Sequence, residues 1–245
     1  MRVLVIGGSG AVGTLVLPTL VQHHDITVFD LKPPAANVAV DYVSGDLRDV
    51  DAVRRAVEGI DALVFMAMGP LAGWGQPDNA RTHLEVSVAG LYTALNAAHD
   101  AGVRHAVYTS SMSVYAEPGE LPGRERYPDE TVPPDATNFY GLAKRLGEEV
   151  CRNAVQAWGM SVVALRLCHP VADHEFPRRD GLAATICTSA RDTARAILAA
   201  LDFQGHGFEA FAISGDGAEK VVSLRKAREV LGWTPLDSTA QATTT

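Results

Sequence analysis

Tyr140 and Lys144, two residues able to move or steer a proton, stand four apart in the run Tyr140-Gly141-Leu142-Ala143-Lys144. Residues at that spacing share one face of a helix. The Lys144 ammonium would then lie beside the Tyr140 hydroxyl. A free phenol titrates near pH 10, and an acid or base working near neutrality needs it ~3 units lower, about 4 kcal/mol. A neighbouring positive charge pulls in that direction. Tyr and Lys also fall four apart by chance, so the pair needs support. It comes from Thr109-Ser110-Ser111-Met112-Ser113, at the end of an apolar, strand-like run. A hydroxyl there, Ser111 with Ser113 beside it, can hold a substrate oxygen while Tyr140 moves its proton. Serine clusters serve equally as helix caps.

A second set of residues suits a dinucleotide. Gly7-Gly8-Ser9-Gly10-Ala11-Val12-Gly13 follows an apolar run and precedes a helical pattern. A helix N-terminus offers unpaired N–H groups and the positive end of a dipole to a pyrophosphate. Glycine lets the backbone turn tightly and approach closely. Asp30 ends the second apolar run, 20 positions after Gly10. A carboxylate there accepts hydrogen bonds from ribose hydroxyls and repels a 2′-phosphate, which favours NAD over NADP. Lys32 nearby weakens that exclusion. Gly45-Asp46-Leu47 offers a carboxylate and a backbone N–H to an adenine edge, and reads equally well as the start of a helix.

The elements that must position these residues alternate. Residues 3–6, 26–29, 62–66, 106–109 and 162–167 are strand-like. Between and after them, 11–23, 49–58, 79–101, 138–158 and 191–201 carry helical spacing. Strand–helix alternation predicts parallel strands with helical crossovers, an α/β doubly wound sheet of Rossmann type. Pro18 should kink or shorten the first helix. Residues 117–137 read as a long loop. The pattern changes near Pro170, which predicts a nucleotide-binding domain over 1–170 and a small C-terminal substrate lobe over 171–245. That lobe ends in a helix over 223–231 capped by Gly232, followed by a disordered tail from about residue 238.

Composition narrows the function. The net charge of −8 and the absence of a basic block argue against nucleic acid. Three scattered cysteines, Cys151, Cys168 and Cys187, predict reduced thiols in a cytoplasm, with no disulfide framework and no metal site. No run approaches the ~20 apolar residues of a membrane span.

In order and spacing, these motifs resemble the extended short-chain dehydrogenase/reductase superfamily, of the NAD-dependent epimerase/dehydratase type. Leu165-Arg166-Leu167-Cys168-His169-Pro170 and Leu231-Gly232-Trp233-Thr234-Pro235 add to the likeness. The resemblance implies that Gly7, Gly10 and Gly13 form the pyrophosphate turn. It assigns Asp30 to the ribose and Asp46 with Leu47 to the adenine, and it lines the cofactor with Met66 and Ala67. Ser111 then positions the substrate oxygen, Tyr140 is the acid/base, and Lys144 lowers its pKa and holds the nicotinamide ribose. His169 falls near the nicotinamide. Met112 and Ser113 stand where sugar 4,6-dehydratases have an Asp-Glu pair, which disfavours water elimination. Ser87 replaces a frequent Asn, and Phe65 a frequent His. Compact members such as uronate dehydrogenases grip a carboxylate with an Arg after the sixth strand. Arg178 or Arg179 could do so here, or could simply be exposed loop arginines.

The resulting expectation is an NAD-dependent oxidoreductase acting on a hydroxyl or carbonyl carbon of a sugar-like small molecule. An NAD-dependent sugar or nucleotide-sugar epimerase is the alternative, since the same residues serve both. A non-catalytic NAD-binding regulator is disfavoured because Ser111, Tyr140 and Lys144 are all present. A homodimer through the two long helices is expected by analogy alone.

Overall fold

The computed structural model describes residues 1–35, 38–69, 73, 76–177 and 180–240. Seven parallel strands form one sheet: β1 (Arg2–Ile6), β2 (Asp25–Asp30), β3 (Asp41–Ser44), β4 (Ala62–Phe65), β5 (His105–Ser111), β6 (Ser161–Leu167) and β9 (Phe208–Ile213). Their spatial order is β3-β2-β1-β4-β5-β6-β9. The chain builds outward from β1 in one direction, then crosses back to β4 and builds in the other. Ligands of such sheets bind at this reversal, beyond the carboxyl ends of the strands. The register brings those ends into line, with Ile6 opposite both Phe29 and Phe65, and Ser111 opposite Leu167. A short parallel pair, β7 (Pro170–Val171) and β8 (Thr188–Ser189), stands apart.

Side chains alternate across the strands, so both faces of the sheet are apolar. Val3, Val5, Val28, Val64, Val107 and Leu165 pack in the layer holding α1 (Ala11–Leu20) and α7 (Ala190–Leu201). Leu4, Ile6, Phe29, Leu63 and Tyr108 face the opposite layer. That layer holds α2 (Val50–Ala56), the long helix α3–α4 (Pro77–Leu84 and Gly90–Asp100) and α5 (Phe139–Trp158). The long helix passes through a π turn at Glu85–Ala89, where Ser87 is buried. Sheets covered on both faces need such near-continuous apolar strands.

The helix predicted over 11–23 ends at Leu20, two residues after Pro18, and the chain continues in turns. Proline removes one helical hydrogen bond and crowds the preceding turn. The sheet does not stop at residue 170. β9 pairs along β6 and α7 packs against α1, and the continuously buried residues Ala210, Phe211, Ala212 and Ile213 complete the sheet edge. What lies beyond β6 outside the sheet is smaller: the β7–β8 pair, a short helix α6 (Gly181–Ile186) and the terminal segment. The terminal helix begins at Arg225 and widens into a π turn at Ala227–Leu231, capped by Gly232 in the left-handed region. Thr239, expected in a disordered tail, is docked instead. Its N–H donates to the Gly215 carbonyl at 2.9 Å and its hydroxyl to the Thr185 carbonyl at 2.7 Å. Residues 241–245 lie outside the described residues.

Candidate active site

The glycine run forms the turn from β1 into α1. Gly7 has φ 83°, and a Cβ there would collide with the backbone of Ala67. A Cβ on Gly13 would strike the Gly8 carbonyl. Gly10 is the N-cap of α1, with no side chain to satisfy the first-turn N–H groups. Those groups open onto a cleft of about 420 Å³. Gly7, Gly10, Ala11, Val12, Gly13, Asp30, Asp46, Leu47, Met66 and Ala67, all expected from the sequence, line this one cleft. Thr82 and Val86 of the long helix close its other wall.

At the far end, Asp30 is held by the turn itself. Its Oδ2 accepts from the Ser9 N–H at 3.0 Å, and the Ser9 hydroxyl donates to the Lys32 carbonyl at 2.6 Å. Asp46 is committed to Arg48. The guanidinium donates to both carboxylate oxygens at 2.5–3.0 Å and holds the Asp46 pKa below the usual range. Asp49, not Asp46, caps α2, accepting from the N–H groups of Asp51 and Ala52. The cleft fits a dinucleotide: a helix N-terminus without a side-chain cap and the Asp30 carboxylate at the end of β2 line the same space.

Ser111, Tyr140 and Lys144 meet at the carboxyl end of β5. Asn138 starts α5 by accepting from the Gly141 N–H at 2.8 Å, which sets Tyr140 on the first turn. Burial pushes the Tyr140 phenol up, and a hydrogen bond with Ser111 pulls it back in part. Lys144 is buried, and its Nζ donates to the Thr109 carbonyl at 2.6 Å. Burial lowers its pKa to about 8, partly offset by Glu148. Its Nζ sits 5.8 Å from the Tyr140 ring centroid. Desolvation outweighs the Ser111 hydrogen bond, so the phenol's pKa lies above its ordinary value. Ser113 is beside Ser111, donating its N–H to the Ser111 hydroxyl at 3.1 Å. His169 lies exposed just beyond β6 in the left-handed region, with φ 38°. Arg178 and Arg179 lie outside the described residues.

Sequence reasoning missed the residues behind the site. Glu148 and Arg166 are each 1% exposed and form a two-pronged ion pair. A signal was present: Arg166 is a lone charge inside an apolar strand, and such charges are buried only with a partner.

Residues 3–189 match the NAD dependent epimerase/dehydratase family. A UDP-glucose 4-epimerase from Lactobacillus helveticus is 32% identical over 176 residues, 68% of this chain and 51% of that protein. The chain thus spans about half the length of that relative. An NAD-dependent glucose-6-phosphate dehydrogenase from Haloferax volcanii is 26% identical over 98% of this chain and 95% of its own. Among solved structures, a mutated uronate dehydrogenase superposes with a TM-score of 0.81 at 25% identity, over 98% of this chain and 83% of that one. With the glycine turn, the acidic strand end and the Ser–Tyr–Lys cluster in place, the chain belongs to the NAD dependent epimerase/dehydratase family.

Proposed function

We propose that this protein is an NAD-dependent oxidoreductase acting on a hydroxyl or carbonyl carbon of a sugar or sugar-like small molecule. The observation that carries the reading is the meeting of Ser111, Tyr140 and Lys144 at one strand end, next to the strand that lines the dinucleotide cleft. NAD, when bound, supplies the hydride acceptor or donor. The chain's own residues do the rest. The first-turn N–H groups of α1 hold the pyrophosphate, and Asp30 holds the adenosine ribose. Asp46 with Leu47 borders the adenine, and Met66 with Ala67 forms the floor. Ser111 accepts or donates a hydrogen bond at the substrate oxygen, with Ser113 as a second contact. Tyr140, protonated at rest, gives a proton to a carbonyl oxygen in reduction and takes one from a hydroxyl in oxidation. Lys144 holds a positive charge near the phenol below about pH 8. His169 borders the nicotinamide end.

The nearly full-length alignment with the glucose-6-phosphate dehydrogenase supports a sugar or sugar phosphate that carries no nucleotide as substrate. The reading also takes the protein as cytoplasmic, supported by three buried cysteines outside any disulfide, and as a homodimer. Exposed Tyr92 on α4 and exposed Leu142 and Leu146 on α5 support the latter. Among the described residues no helix is long and apolar enough to cross a membrane. The second reading, an epimerase that oxidises and re-reduces its substrate, is favoured by the 32% identity to a UDP-glucose 4-epimerase. The two are separated by purifying the protein without added nucleotide, denaturing it and identifying what is released. Retained NAD supports the epimerase, while an empty protein that binds NAD reversibly supports the dehydrogenase.

A further inference from the structure

Three residues of α5, spaced by four, each reach a different residue at the end of β5. Tyr140 meets the Ser111 hydroxyl, and Lys144 donates to the Thr109 carbonyl. Glu148 Oε1 accepts from the Ser110 hydroxyl at 2.7 Å. Behind this stripe, Arg166 of β6 donates from Nε to Oε1 at 2.9 Å and from Nη2 to Oε2 at 2.7 Å. Its Nη1 donates to the Tyr115 hydroxyl at 2.7 Å, which in turn lies 2.9 and 2.8 Å from the carbonyls of Asp129 and Val132. One buried network thus joins the helix, two strand ends and the 117–137 loop. Burying two charges costs several kcal/mol per ion, and an apolar pair would pack as well. Stability alone does not account for a charged pair at this place.

We infer that Glu148 is a positioning residue: anchored by Ser110 and Arg166, it sets the register in which Tyr140 and Lys144 seat on β5 and keeps a negative charge one turn behind Lys144. The inference rests on the roles given to Tyr140 and Lys144 above. Within α5, Tyr140, Glu148 and Cys151 face Lys144, and Tyr108 faces it from β5. Burial keeps Tyr108, Tyr140 and Cys151 neutral. Arg166 reaches the group from β6 through Glu148. Glu148 therefore holds the fixed negative charge that favours the Lys144 ammonium.

The test measures NADH affinity against pH by fluorescence on the whole protein, beside sugar-dependent turnover, with Lys144→Met as the control that lacks the alkaline limb. Glu148→Gln keeps the shape and removes the charge. It should move the alkaline midpoint of NADH affinity down by about one pH unit and lower kcat about tenfold with KM near normal. Glu148→Asp keeps the charge and withdraws the carboxylate, so kcat should fall while the midpoint stays. Should Glu148→Gln give no cooperative melt, Ser110→Ala removes one hydrogen bond only; it should lower kcat about threefold at unchanged KM and melting temperature. An unmoved midpoint in Glu148→Gln, or wild-type kcat in Ser110→Ala, would overturn the inference. A wild type without any sugar turnover would defeat the proposed function, and the NADH profile would still judge Glu148.

Discussion

The Lys144 ammonium donates to the Thr109 carbonyl at 2.6 Å, and this bond sets how far the helix carrying Tyr140 stands from the strand end carrying Ser111. It also places a buried charge at a site where burial favours the neutral amine, which lowers the Lys144 pKa to about 8. Turnover should therefore fall on the alkaline side with a midpoint near 8, as the ammonium is lost. A pH–rate profile with no alkaline limb below the ordinary lysine range would contradict this assignment.

The same charge lowers stability. In the unfolded chain Lys144 titrates near 10.5, and in the fold near 8. Between those values the unfolded chain binds more protons, so stability rises with pH there. Below them the buried charge is a constant cost of about 3 kcal/mol. Lys144→Met should abolish turnover and yet raise the melting temperature at neutral pH by about 8 °C, a gain that shrinks in alkaline buffer. Thermal melts at the two pH values check this, and a neutral-pH melting temperature below wild type would contradict it.

Tyr140→Phe removes the hydroxyl and leaves the cleft untouched. Turnover should drop by about 10²–10⁴, with NAD affinity within about twofold of wild type. Steady-state kinetics and calorimetry check the two halves separately. Substantial activity in this variant would mean that another group moves the proton.

Asp30 stands in the cleft with Lys32 and Arg48 nearby. Asp30→Asn removes the charge that repels a 2′-phosphate. The ratio of kcat/KM for NAD over NADP should fall by about tenfold or more. An unchanged ratio would mean that the adenosine ribose lies elsewhere.

The glycines separate folding from binding. Gly13→Ala drives a methyl into the Gly8 carbonyl and should cost about 3 kcal/mol or more of stability. Gly10→Ala meets only the Gly7 carbonyl at 3.2 Å, so the fold should survive. The methyl sits at the pyrophosphate end of the cleft, and NAD affinity should fall about tenfold. Denaturant unfolding and NAD titration of both variants check the contrast.

Much of this was legible in the residues because it is local. A glycine turn between strand and helix, an acid ending the next strand, and Tyr140 four before Lys144 are each read from a few neighbours. What stayed hidden is assembled across the sheet. Arg166 and Glu148 are 18 positions apart, and only the packing of α5 on β6 brings them together. The place of β9 in the sheet stayed hidden as well, because only its pairing with β6 reveals it. The raised Tyr140 pKa was also out of reach, since desolvation depends on everything around the phenol.

The most direct test of the central claim is turnover with NAD and a panel of free sugars and uronic acids, followed by NADH absorbance and by product identity. The account predicts net NADH, one per sugar oxidised, lost in Tyr140→Phe. Isomerised sugar with no net NADH, or no binding of NAD at all, would contradict it.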